Sequence, residues 1–151
     1  METTTEPTTL ALAGLVMRFA NALNVQSIGV ILKLLRETDM SLPRFVTLSY
    51  LYKSGAASIS QICDYLNLAL GTTSHVVDQL VQSGYVERRE AEQDRRHKEV
   101  TLTTKGREVV ELFRDLRLNE TSQQLARLNP ELNARLALVL EEVIAELRAD
   151  P

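Results

Sequence analysis

The side chains with most to offer a partner gather between Thr72 and Leu102. Thr72, Ser74, His75 and Gln79 are neutral donors and acceptors, spaced so that a helix would hold them away from its apolar side. Beyond them comes a cationic run, Arg88, Arg89, Arg95, Arg96 and Lys98, with Asp94 two residues ahead of Arg96. This is the chemistry of recognition rather than of bond making. Guanidinium and ammonium groups neutralise phosphates and make binding salt-sensitive, whereas hydroxyl, amide and imidazole groups can read base edges.

The chain offers little chemistry of another kind. It has no paired catalytic carboxylates, no Gly-rich phosphate loop, no HExxH and no nucleophile elbow. His75 and His97, the two histidines, fall on a helix face and a polar tip, and two histidines with scattered acids do not make a metal site. The expectation is a protein that is not an enzyme and needs no cofactor or metal. Cys63 is the single cysteine, so no intrachain disulfide is available. Between Ile62 and Leu66 on a predicted helix it reads as a small buried apolar residue, with redox sensing as the alternative.

The elements that must position these groups follow from period and punctuation. Thr73, Val76, Val77, Leu80 and Val81 recur at three- and four-residue steps, which predicts a helix from about Ala69 that ends at Gly84. Tyr85 to Arg89 and Glu99 to Leu102 are extended, and Glu90 to Lys98 between them has no apolar residue larger than alanine. The prediction is a two-stranded hairpin with a polar, basic tip. Upstream, Ser41-Leu42-Pro43 starts a helix with proline in the first turn, and Ser54-Gly55 ends it. Ala57 to Leu66 reads as a short extended entry, a serine cap and a helix that buries Ile59, Ile62 and Leu66.

Helix, turn, helix and basic hairpin in that order are the winged-helix arrangement, and here the sequence resembles a family. Asp94-x-Arg96-x-x-x-Val100-x-Leu102-Thr103-x-x-Gly106 is similar to the wing signature of the MarR family of bacterial transcriptional regulators. Val77-Asp78-x-Leu80 and Gly84-Tyr85-Val86-Glu87-Arg88 resemble that family's recognition-helix end and wing entry. The likeness is dense from about Leu42 to Gly106. It implies a mainly α fold with a small β wing: a winged helix-turn-helix plus a helical dimerisation lobe. Residues 1–151 would form one MarR-like domain, with 41–103 as the DNA-binding lobe and 8–40 and 104–149 as the dimerisation lobe.

The resemblance also assigns roles. Gly71, Thr72, Ser74, His75 and Gln79 would lie nearest the major groove, and Arg88, Arg89, Arg95 and Lys98 would neutralise phosphates. Arg96 would enter the minor groove, aimed by Asp94 through charge-assisted hydrogen bonds; the alternative is that Asp94 and Arg96 only stiffen the hairpin. The sequence departs from the family's pattern on the recognition helix. There is no Lys or Arg between Lys53 and Arg88, Ala69 stands where a serine cap is common, and Asn67 stands where glycine is common.

The flanks supply the rest. Leu12, Val16, Phe19 and Leu23, then Val30, Ile31, Leu34 and Leu35, follow a helical period; Asn24 to Ser27 leaves open whether this is one helix or two. Thr103-Thr104 caps a helix expected to reach about Leu128, and Asn129-Pro130 starts a last amphipathic helix through Leu136, Val139, Leu140, Val143, Ile144 and Leu147. Apolar faces at both ends exceed what one small wing domain can cover, which points to a homodimer; the alternative is a monomeric helical cap with the same pattern.

Composition is compatible. A chain of 151 residues that is 44% hydrophobic and 25% charged can bury its own core. The formal net charge is −3, yet residues 87–107 hold seven Lys and Arg against five acids, while residues 118–151 hold three Arg against six. One end of the protein suits phosphate. No apolar run reaches the length of a membrane span and residues 1–9 lack a basic start, so a cytoplasmic protein is expected. The leading expectation is a homodimeric regulator, a repressor that binds double-stranded DNA at a pseudo-palindromic operator and is released by a small apolar or phenolic ligand. The alternative is a winged-helix protein-interaction module with weak or no DNA binding.

Overall fold

The computed structural model describes residues 8–24, 27–90 and 98–149. Helices α1 (Thr9–Asn24), α2 (Ser27–Glu37) and α3 (Leu42–Ser54) are followed by strand β1 (Ala56–Ser58), helices α4 (Ile59–Leu66) and α5 (Leu70–Gln82), strands β2 (Val86–Glu90) and β3 (Lys98–Leu102), and helices α6 (Thr104–Leu125) and α7 (Pro130–Ala149). The chain divides into two compact units, one of residues 29–116 and one of residues 1–28 with 117–151.

The first unit carries the winged helix. Ser41 precedes α3 in extended conformation, with Pro43 in the first turn. Ser58 closes a capping box: its Oγ accepts from the Gln61 amide at 3.2 Å, and its own amide donates to Gln61 Oε1 at 2.8 Å. Asn67 ends α4 in the left-handed region, φ 51°, which asparagine tolerates better than most residues. The glycine expected there is thus replaced without loss of the turn. Leu48, Leu51, Ile62, Val77, Leu80, Val86 and Val100 form the centre of the core, each at most 2% exposed. Each such side chain stabilises the unit by roughly 1.5–3 kcal/mol relative to an exposed position.

The hairpin is part of a larger sheet than the sequence predicts. β1 pairs antiparallel with β3 and gives a three-stranded sheet in the order β1-β3-β2. Val100 is the hub of that sheet, opposite Ala57 on one side and Arg88 on the other. The turn into the wing uses Gly84 at φ 74°, and the turn out of it uses Thr103. The Thr103 hydroxyl donates towards the carbonyls of Gly84 (2.7 Å) and Tyr85 (3.1 Å) and accepts from the Gly106 amide at 3.1 Å. One side chain therefore caps α6 and ties it to the start of β2.

The N-terminal apolar pattern is split into α1, in the second unit, and α2, most of which belongs to the first, and α6 ends at Leu125 rather than Leu128. Asn129 Oδ1 accepts from the Glu131 amide at 2.8 Å and so caps α7, as the Asn-Pro pair implies. No residue of α7 is buried. Leu138, Val139, Leu140, Val143, Ile144 and Leu147 are all exposed, as are Leu10, Leu12, Leu15, Val16 and Met17 on α1. Such extended apolar faces mark an interaction surface.

Candidate nucleic-acid interface

Helix α5 has the two-sided character its period demands. Thr73, Val76, Val77 and Leu80 are buried, and Gly71, Thr72, His75 and Gln82 are exposed, with Ser74, Asp78 and Gln79 half-exposed between them. Ala69 precedes the helix in extended conformation and offers no side-chain acceptor, so the N-cap position gives the first turn of α5 no side-chain cap.

Two pairings order the outward face. Gln79 Nε2 lies 3.1 Å from His75 Nε2. An amide nitrogen can only donate, so this pairing uses the imidazole Nε2 as the acceptor. On the other flank, the Arg88 guanidinium on β2 donates to Asp78 Oδ1 at 2.6 Å. Asp78 would otherwise present a bare carboxylate beside the groups meant for a polyanion. Arg89 pairs with Glu87 of its own strand. These pairs are largely exposed and contribute at most about 1 kcal/mol each to stability. Their consequence is for charge: the two arginines at the base of the wing are already engaged by carboxylates. Lys98 opens β3 exposed to solvent, in register with Glu90.

The C-terminal end of α5 is held by two cations that the sequence analysis did not assign. Arg44 donates to the Asp39 carbonyl at 2.8 Å and to Ser83 Oγ at 2.9 Å. Lys105 Nζ donates to the Ser83 carbonyl at 2.7 Å and stands 4.4 Å above the Tyr85 ring. Positive charge at a helix C-terminus complements its dipole, so both residues fix the end of α5. No local signal announces them, because the partners are 39 and 22 residues apart.

Thr72, Ser74, His75, Gln79, Arg88, Arg89 and Lys98 are therefore gathered on α5 and the wing strands beside it. Asp94, Arg95 and Arg96 lie outside the described residues. Phe45 and Phe113 pack ring on ring, with centroids 4.0 Å apart, and Tyr50 stacks on Tyr65 at 4.3 Å. Cys63 is half-buried rather than fully buried, its Sγ donating to the Leu68 carbonyl at 2.8 Å across the turn that leads into α5. An open depression of about 670 Å³ is lined by Leu32, Leu35, Arg36, Met40, Arg44 and Gln79 among others. Among the described residues no group of three or more His, Cys, Asp or Glu could hold a metal ion, and no helix is long and apolar enough to cross a membrane.

Comparison with known proteins places this geometry. Residues 40–98 match the MarR family model. An HTH-type transcriptional regulator of Bacillus subtilis (strain 168), YfiV, is 30% identical over 93 residues, which are 62% of this chain and 58% of that protein. The chain thus matches rather more than half the length of that relative. Among solved structures, the transcriptional regulator Tm0710 from Thermotoga maritima superposes with a TM-score of 0.79 at 22% identity, over 92% of this chain and 95% of that one. A mutant of S. aureus MepR bound to an oligodeoxyribonucleotide superposes at a TM-score of 0.63 and 22% identity, over 90% of this chain and 97% of that one. At these identities the likeness is one of fold.

Proposed function

We propose that the chain, whose residues 40–98 match the MarR family model, is a member of that family and a homodimeric transcriptional regulator that binds duplex DNA. The observation that carries the reading is the outward face of α5, where Thr72, Ser74, His75 and Gln79 stand beside the wing strands that carry Arg88, Arg89 and Lys98; the sequence adds Arg95 and Arg96 between those strands. Hydrogen-bonding groups on a helix of groove-filling width read base edges, and a basic wing engages the flanking backbone or minor groove. Asp94 orients Arg96 in this reading.

The exposed apolar faces of α1 and α7 supply the reason for a second copy. Two copies related by a dyad contact half-sites about 34 Å apart, so the operator is a rough palindrome. Occupancy of an operator beside its own gene represses that gene. A small apolar or phenolic ligand in the depression that Gln79 shares with Arg44 and Met40 would shift α5 and release the DNA.

Fluorescence polarisation with the duplex upstream of its gene, at two salt concentrations, tests the central point, and the mass in solution tests the dimer. Salt-dependent binding at sub-micromolar protein is the expected result. One observation favours the protein-interaction reading: α5 has no Lys or Arg, and Arg88 and Arg89 are both paired with acids. Absence of salt-dependent binding at micromolar protein would favour that alternative.

A further inference from the structure

We infer that Gln79, held in place by His75, reads an adenine in each half-site; the inference rests on the duplex-binding reading above. A recognition helix without cations must discriminate by hydrogen-bond pattern. Three of the polar side chains of α5 do not single out a base by pattern, and a fourth is buried. Thr73 is fully buried, and Asp78 is engaged by Arg88. The hydroxyls of Thr72 and Ser74 can each donate or accept, so they tolerate more than one base.

Gln79 differs, because one of its amide N–H groups is committed to His75 Nε2 at 3.1 Å. What remains is one N–H and the carbonyl Oε1, adjacent and coplanar. That pattern, a donor beside an acceptor, complements the N7 acceptor and N6 amino donor of adenine in the major groove. It does not complement guanine, which shows two acceptors there. The His75 contact also limits the rotamers of a long side chain before DNA arrives, so less conformational freedom is lost on binding. The i, i+4 spacing on the exposed side of α5 is what lets the two side chains meet. His75 is thus a positioning residue and Gln79 the specificity-determining one.

Selection of bound sites from a randomised duplex pool tests this directly. The wild-type protein is expected to require adenine at one fixed position of each half-site, with guanine there weakening binding roughly 5- to 100-fold. Gln79→Ala should flatten the preference at that position and leave the salt dependence unchanged. Gln79→Glu should move it to cytosine, whose N4 amino group donates to a carboxylate, with weaker binding overall. His75→Ala should keep adenine as the preferred base while reducing the discrimination several-fold. If Gln79→Ala and Gln79→Glu select the wild-type site unchanged, the inference is overturned while the regulator reading stands. A wild-type protein that selects no duplex overturns both.

Discussion

Asp78 on α5 and Arg88 on β2 are joined by a 2.6 Å charge-assisted hydrogen bond between half-exposed groups. The pair links the helix proposed to enter the groove to the first strand of the wing, and it removes one cation from the set available to phosphates. Asp78→Ala frees that cation and deletes a carboxylate from the proposed binding face. The expected outcome is tighter binding at low salt and a steeper salt dependence, by about 0.9 in the log–log slope per protomer. Protein stability should change by less than about 1 kcal/mol. Arg88→Ala should weaken binding even though Arg88 is withheld from the phosphates, because it leaves the Asp78 carboxylate uncompensated near a polyanion. Titrations of both variants across a salt series separate these effects. An unchanged slope in Asp78→Ala would show that Arg88 bridges carboxylate and phosphate at once.

Gly106 in the first turn of α6 lies so close to the backbone of Tyr85 that a Cβ would stand 2.0 Å from the Tyr85 carbonyl oxygen. The obstacle is backbone, which cannot swing away as a side-chain end can. Gly106→Ala should therefore displace α6 from the wing entry and cost about 1–3 kcal/mol or more, read as a lower urea midpoint. Thr103→Ala acts on the same junction by another route. It removes the acceptor for the Gly106 amide and the donor to Gly84 and Tyr85, with a cost of roughly 1 kcal/mol. Because the two changes share partners, the double variant should be less destabilised than the sum of the singles.

Thr73 shows the opposite sign. Its side chain is fully buried in the face of α5 that packs on the core, and its hydroxyl has no hydrogen-bond partner among the described residues. A buried, unpaired hydroxyl costs about 1–3 kcal/mol. Valine keeps the β-branched shape without the polar atom. Thr73→Val should stabilise the protein by about 1 kcal/mol and leave DNA binding unchanged, since the residue points away from the outward face. Thermal unfolding and the same polarisation assay check the two halves of that statement.

Those junctions show what the sequence could and could not disclose. Local signals were legible: the apolar period of α5, Pro43 after Ser41, a serine cap before α4, the Thr103 cap and the Asn129-Pro130 start. Each depends on neighbours within a turn or two of chain. β1 as a third strand was missed, because Ala56–Ser58 is too short and too small-chained to show an alternation. Arg44 and Lys105 at the end of α5 were missed for want of any local signal, their common partner Ser83 being set by the tertiary fold. Arg88 was legible as a cation and Asp78 as part of the helix-end motif, but their partnership depends on the angle at which β2 leaves Gly84, which periodicity does not encode. The exposed apolar residues of α7 were visible as a helical stripe, and no residue of α7 is buried among the described residues.

The wing tip is the proposed reader of the minor groove, and Arg96 carries that role with Asp94 as its orienting partner. The strands that lead to it are well anchored: β2 and β3 pair from Val86 with Leu102 to Glu90 with Lys98, and β3 is braced on its other side by β1. Arg96→Ala should weaken operator binding by about 1–3 kcal/mol and leave the mass in solution unchanged. Asp94→Asn tests the orienting role separately. It keeps the size of the side chain and removes the charge that aims the guanidinium, so a loss smaller than that of Arg96→Ala is expected. In Arg96→Ala the same Asp94 change should cost nothing further, or slightly improve binding by removing a negative charge. Equal losses from Asp94→Asn in the presence and absence of Arg96 would mean that the two residues act independently, and that Asp94 does no more than stiffen the hairpin.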